Sequence, residues 1–137
     1  MTLRIQYLKK DDAEIKECLG EPDEINTGSD TFDASFINDY DTWMIEALEL
    51  LATEKKITFI GSYQAEKDIA NPGFFVGFKG VFHNTPTIDG ENLAVCVQPD
   101  GEVDETELCF VHQHMKAMKQ ARKALGIKTE RKTDDET

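Results

Sequence analysis

The sequence predicts a single α+β domain with a mainly antiparallel sheet and helices packed on one face. Three observations support this fold class. Apolar residues alternate with a period of two in some segments, and they recur with a period of about 3.6 in others. Connections rich in Gly, Pro, Asn and Asp separate the later strand-like segments. The length of 137 residues and the hydrophobic content of 39% suit one domain with one core.

The first two elements are a strand and a short helix. Residues 2–8 predict the strand, because three large apolar residues share one face: Leu3, Ile5 and Tyr7. Asp11 or Asp12 is placed to cap a helix that ends before Gly20. Residues 20–37 are rich in turn-forming and acidic residues, and we expect a long loop there.

A longer helix is predicted from about Asp39 to Thr53. Its apolar residues fall within one arc of the helix: Tyr40, Trp43, Met44, Ala47, Leu48, Leu50 and Leu51. We expect Trp43, the only tryptophan, to be buried against the sheet. The alternative places Trp43 beside Phe36 and Tyr40 as an exposed anchor for a partner, since tryptophan is enriched in interface hot spots.

Three strands and a final helix complete the domain. The strands are predicted over 56–64, 73–83 and 92–98, and the second of them places four residues on one face: Phe74, Val76, Phe78 and Phe82. The last helix runs from Asp104 to Gly126. The element order is thus β-α-α-β-β-β-α in a domain over residues 1–126, and we expect the polar tail, 127–137, to be flexible.

The charge is the most informative bulk property. The chain holds 27 acidic and 15 basic residues, a net charge of −12. Residues 1–50 alone carry 13 acidic and four basic residues, so most of the excess lies in this segment. Such a field repels nucleic acid and anionic membranes and attracts basic proteins. We therefore expect a basic protein partner, no direct nucleic-acid binding and no membrane binding.

The cysteines indicate the compartment. Three are present, widely spaced and without a CxxC motif, which argues against a disulfide framework. Free thiols suit a reducing compartment, and there is no run of about 18 apolar residues. We expect a soluble, cytoplasmic protein.

Candidate partner-binding residues lie in the acidic segment before the longer helix. Carboxylates supply electrostatic steering and aromatic rings supply anchors. The candidates are Asp23, Glu24, Asp30, Phe32, Asp33, Phe36 and Tyr40.

Reactive side chains gather only on the C-terminal helix. Cys109 and His112 have the residue types of a Cys–His pair, and they are the candidates for an alternative pocket between this helix and the sheet. His114 points about 160° away from His112, so the two cannot reach one metal ion, and we expect a packed His114 and no metal or cofactor. A basic stripe also follows this helix: His112, Lys116, Lys119 and Lys123.

The leading functional hypothesis is a non-enzymatic protein-binding module, an inhibitor, immunity or adaptor protein whose acidic N-terminal half docks on a basic partner. Phage or another mobile element is a natural source for such a protein. No catalytic residue is assigned, because none of the common catalytic motifs occurs. Two alternatives are a small enzyme or ligand-binding domain and a structural homodimer that pairs acidic and basic faces.

Overall fold

A computed structural model describes residues 2–28, 30–37, 42–64, 73–86, 99–102 and 105–127. These ranges contain six strands, three α-helices and one 3-10 turn, Lys9–Asp11. In chain order the strands and helices are β1 (Thr2–Leu8), α1 (Asp12–Leu19), β2 (Glu24–Thr27), β3 (Thr31–Ile37), α2 (Thr42–Thr53), β4 (Phe59–Gln64), β5 (Gly73–Phe78), β6 (Val81–Pro86) and α3 (Glu105–Leu125).

The six strands form one sheet with the order β2-β3-β1-β4-β5-β6, and every neighbouring pair is antiparallel. β1 is central because it pairs with both β3 and β4. Its Ile5 lies opposite Ala34 on one side and Gly61 on the other. The α+β class and the mainly antiparallel sheet are therefore confirmed. The strand predicted over 92–98 lies outside the described residues.

The long loop expected over residues 20–37 is wrong, because most of this segment forms the β2–β3 hairpin. Phe32, Ala34 and Phe36 alternate with polar residues, and all three side chains are buried. β3 therefore has the period of two that a strand with one buried face requires. The many acidic and turn-forming residues between Gly20 and Thr31 concealed this alternation.

α1 and α2 cover one face of the sheet and enclose the larger core. The Tyr7 hydroxyl donates a hydrogen bond of 2.7 Å to Asp12 and so joins β1 to the start of α1. The buried members of this core are Leu3, Ile5, Tyr7, Ile15, Leu19, Phe32, Ala34, Phe36, Met44, Leu48, Leu51, Ala52, Ile57, Phe59, Tyr63 and Phe75.

α3 packs on the opposite face, so the expectation that the helices share one face is corrected. A second, smaller cluster lies beneath α3, with buried residues Ile60, Val76, Ala117, Ala121 and Leu125. Ile60 and Val76 each follow a residue of the larger core, which places them on the other side of their strands. β4 and β5 therefore carry apolar side chains on both faces and need a helix on each.

A tight turn interrupts the strand predicted over 73–83. Lys79 and Gly80 have φ values of 50° and 80°, as the two central residues of a type I′ hairpin turn do. The turn places Phe82 beside Phe75 in the larger core. The prediction that Phe74, Val76, Phe78 and Phe82 share one face of the sheet is therefore wrong for Phe82.

Two glycines in the sheet make room for aromatic rings. A Cβ on Gly61 would overlap Cζ of Phe75, and one on Gly77 would lie 2.7 Å from Cε2 of Phe59. These approaches are shorter than van der Waals contact, so the rings pack directly on backbone. The glycines allow the larger core to hold several rings in one layer.

The C-terminal end of α3 is anchored to the sheet. Gly126 has a φ of 76°, and the next amide, of Ile127, donates to the Arg122 carbonyl at 2.9 Å. Ile127 packs against the smaller cluster, and the Thr31 hydroxyl donates to the Leu125 carbonyl. Residues 128–137 lie outside the described residues, so the flexibility of the tail stays a prediction.

Candidate functional site

The outer side of α2 exposes two large apolar side chains. Trp43 is 46% exposed and Leu50 is 57% exposed. They are seven residues apart and therefore lie two turns apart on one side of the helix, with Ala47 between them. We call the surface formed by Trp43, Glu46, Ala47 and Leu50 the Trp43 face. The prediction that Trp43 is buried against the sheet is therefore wrong.

The position of the buried stripe on α2 explains this exposure. Met44, Leu48 and Leu51 follow the i, i+4, i+7 spacing, and all three are buried against the sheet. Trp43 and Leu50 lie at one edge of the same apolar arc, beyond the part that the sheet covers. The six members of the predicted arc that lie in α2 span more of the helix surface than the sheet covers.

The layer formed by α1 and α2 is strongly acidic. The two helices contain five acidic residues and one basic residue, Lys16. The ammonium of Lys16 pairs with the Asp12 carboxylate at 3.1 Å. The other four acidic residues are exposed: Glu14, Glu17, Glu46 and Glu49. The Trp43 face therefore lies on a negatively charged surface.

The four acidic residues predicted to bind a partner lie in or beside the β2–β3 hairpin. Glu24 and Asp30 are exposed. The Asp23 carboxylate accepts a hydrogen bond from the Ile37 amide. Asp33 accepts from Nε of Arg4 at 2.9 Å and is therefore engaged within the sheet.

The aromatic residues of the predicted site do not form an exposed group. Phe32 and Phe36 are buried in the larger core, because both point from β3 towards α1 and α2. Their burial removes them from the side chains that can anchor a partner. Tyr40 lies outside the described residues. The exposed apolar groups of this layer include Trp43 and Leu50, both of which the sequence placed on the core side of the helix.

The outer side of α3 carries the basic stripe. His112, Lys116, Lys119 and Lys123 are all exposed, as their spacing predicted. Cys109 is also exposed here, and its sulfur accepts from the Gln113 amide nitrogen at 3.5 Å. Cys109 and His112 line only a shallow depression on the outer surface of the helix. The structure therefore does not place these two residues in a pocket between sheet and helix.

His114 lies on the inner side of α3 and is fully buried, so the expectation of a packed histidine is confirmed. Its Nδ1 shares a hydrogen bond of 2.9 Å with Oγ1 of Thr85, and the His83 ring lies 6.0 Å away between centroids. Within the described residues, the buried Nε2 has no hydrogen-bond partner.

The surroundings of His114 make it a weak base. The pKa of His114 is lowered from 6.5 to about 4, mainly because burial removes hydration and to a smaller extent because His83 repels the charged form. Burial also lowers the pKa of His83. The hydrogen bond between Thr85 and His114 joins β6 to α3.

Across the described ranges, no group of three His, Cys, Asp or Glu side chains is arranged to hold a metal ion. None of the described helices is both long enough and apolar enough to cross a bilayer. Comparison of the chain with protein families, curated proteins and solved structures finds no match.

Proposed function

We propose that this protein is a non-enzymatic protein-binding module that docks a basic partner on the Trp43 face. The observation that carries the proposal is an exposed tryptophan and an exposed leucine on one side of a helix that contains no basic residue. An inhibitor, an immunity protein or an adaptor would each use such a surface.

The apolar part of the surface supplies the anchors. Trp43 and Leu50 leave large apolar areas in contact with water, and covering them on binding is favourable by about 25 cal/mol per Å². Tryptophan is the residue type most enriched in interface hot spots, because it buries a large area with few rotatable bonds. The spacing of seven residues matches the apolar stripe of a partner helix.

The charge of the surrounding layer determines the class of partner. Glu46 and Glu49 lie on α2, and Glu14 and Glu17 lie on α1, which covers the same face of the sheet. A net charge of −12 extends the attraction beyond the contact surface. The complementary ligand is an amphipathic segment whose apolar side meets Trp43 and whose Lys and Arg residues meet the glutamates.

A fluorescence titration tests the proposal directly, because Trp43 is the only tryptophan. The probe is a synthetic 20-residue amphipathic helix with leucines on one side and lysines on the other, and the comparison peptide has glutamates in place of the lysines. We expect saturable binding of the basic peptide with a blue shift of Trp43 emission. The association rate should fall steeply as salt is added.

Matched variants locate the binding surface. Leu50→Ser and the double variant Glu46→Lys, Glu49→Lys should each weaken binding at least tenfold. Met115→Ser is the control, since Met115 is a similarly exposed apolar residue on α3. Equal affinity for the acidic and basic peptides, or weakening by Met115→Ser alone, would contradict the proposal.

A further inference from the structure

A cleft separates α3 from the sheet on the face opposite α1 and α2. α3 crosses the sheet obliquely: His114 contacts Thr85 on β6, whereas the Leu125 carbonyl accepts from Thr31 on β3. The oblique path leaves part of β1, β4 and β5 beside the helix without a covering layer. The space has a volume of about 200 Å³.

The lining of the cleft combines apolar walls with cationic and neutral polar groups. Ile60, Phe74 and Met118 supply apolar surface, and Gln6 and Ser62 supply neutral polar groups. Two arginines, Arg4 from β1 and Arg122 from α3, also line it. Among the described residues that line the cleft, none is acidic. Arg4 is paired with a carboxylate from outside this lining, that of Asp33 on β3.

Arg4 is paired with a residue outside the cleft. Asp33 on the neighbouring strand β3 accepts hydrogen bonds from Nε and from one terminal nitrogen of the guanidinium. The second terminal nitrogen takes no part in this pair. The hydrogen bond to Asp33 also raises the pKa of Arg4. The pair orients the guanidinium, and the nitrogen outside it can donate to a ligand carboxylate.

We propose that this cleft binds a small organic carboxylate with a compact apolar group. The carboxylate would lie between Arg4 and Arg122, and the apolar group would contact Ile60, Phe74 and Met118. At about 30 Å³ for each displaced water, the volume corresponds to roughly seven waters and therefore to a ligand of about seven to ten non-hydrogen atoms. The apolar walls favour such a ligand over inorganic phosphate, which has no apolar part.

This site is independent of the Trp43 face, which lies on the other side of the sheet. The sequence analysis gave a ligand-binding domain as an alternative, with a pocket between the sheet and the C-terminal helix, and the proposed cleft lies in that position. The residues differ: Arg4 and Arg122 replace Cys109 and His112, which lie on the outer side of α3.

Benzoate is a suitable probe because it has nine non-hydrogen atoms and one carboxylate. We expect calorimetry to give a dissociation constant of about 1 mM, in line with the affinity of very small ligands. Amide chemical shifts of Ser62, Phe74 and Met118 should change on titration. Benzyl alcohol, which is similar in size but neutral, should bind at least tenfold more weakly, and so should inorganic phosphate.

Three variants test the assignment of the residues. Arg122→Gln should weaken benzoate binding at least tenfold, whereas Lys123→Gln, which removes a charge from the exposed side of the same helix turn, should change it less than twofold. Ser62→Leu fills the cleft without removing a charge and should abolish binding even if Arg122→Gln perturbs the fold. A benzoate affinity that is unchanged in Arg122→Gln and Ser62→Leu would overturn the proposal. Equal binding of benzyl alcohol would overturn the carboxylate part of it.

Discussion

Acidification from pH 7 to pH 4 is expected to destabilise the protein through His114. A histidine in the unfolded chain has a pKa of about 6.5, whereas the folded-state pKa of His114 is about 4. The folded state therefore binds fewer protons between these values. The contribution of neutral His114 to stability is therefore fully present above pH 6.5 and is lost as the pH falls towards 4. A difference of about 2.5 pH units, at about 1.36 kcal/mol each, corresponds to about 3 kcal/mol.

Urea unfolding at pH 7, 5.5 and 4 measures this contribution when the wild type is compared with His114→Phe. The variant keeps an aromatic ring on the inner side of α3 but cannot titrate. It should be less stable at pH 7, because Thr85 loses its hydrogen-bond partner. The stability advantage of the wild type should then decrease by about 3 kcal/mol between pH 7 and pH 4. Comparing variants removes the contribution of the carboxylates, which titrate in both proteins.

His112→Phe provides the matched control, because His112 is exposed on the other side of the same helix. This variant should follow the pH dependence of the wild type. The reasoning would be refuted by a wild-type advantage over His114→Phe that does not change with pH. An NMR titration that places the His114 pKa near 6.5 would refute it independently.

Three other substitutions have distinct expected outcomes. Trp43→Ala should lower the free energy of unfolding by about 1.5–2.5 kcal/mol, roughly half the cost for a fully buried aromatic residue. In the protein without a partner, Trp43 should emit at long wavelength and be readily quenched by iodide. Gly61→Ala should cost more than about 3 kcal/mol in urea unfolding, because the new methyl group would overlap the Arg4 carbonyl and the Phe75 ring. Asp33→Asn should change stability by about 1 kcal/mol or less, since its ion pair with Arg4 is largely exposed, and a larger loss would contradict this.

Alternation of apolar residues predicted the strands that have one clear buried face. β1 follows this pattern, and Leu3, Ile5 and Tyr7 are all buried as expected. β3 has the same pattern in Phe32, Ala34 and Phe36, but a small central residue and the acidic surroundings made it resemble a loop. Pairing with the central strand outweighs the weak local propensity of such a segment.

The layer arrangement was predicted less well, because it depends on which side of each strand is covered. Phe59 and Ile60 are adjacent and both buried, and so are Phe75 and Val76. Continuous apolar runs of this kind are typical of strands buried on both faces, and this signal was present in the sequence. It identifies a second helical layer but does not show which helix forms it.

The sequence predicted the charge of the helix surfaces, but it did not predict which apolar side chains are exposed on them. The exposed basic stripe of α3 and the acidic residues of α1 and α2 follow from spacing alone. The exposure of Trp43 depends on how much of the apolar arc of α2 the sheet can cover, and that is a tertiary property. The cleft lined by Arg4 and Arg122 joins residues that are far apart in the chain, so no local pattern could reveal it.

The unequal size of the two apolar clusters has a consequence for how the native state opens. α3 is attached to the sheet mainly through the smaller cluster, whereas α1, α2 and the aromatic rings of the sheet share the larger one. Detaching α3 exposes less apolar surface than unfolding the whole domain, so it requires less free energy. Amide hydrogens of α3 should therefore exchange with solvent sooner than those of β1 and β4. In such an open form the acidic helical layer would remain intact while His114 and the arginine-lined cleft lose one of their two sides.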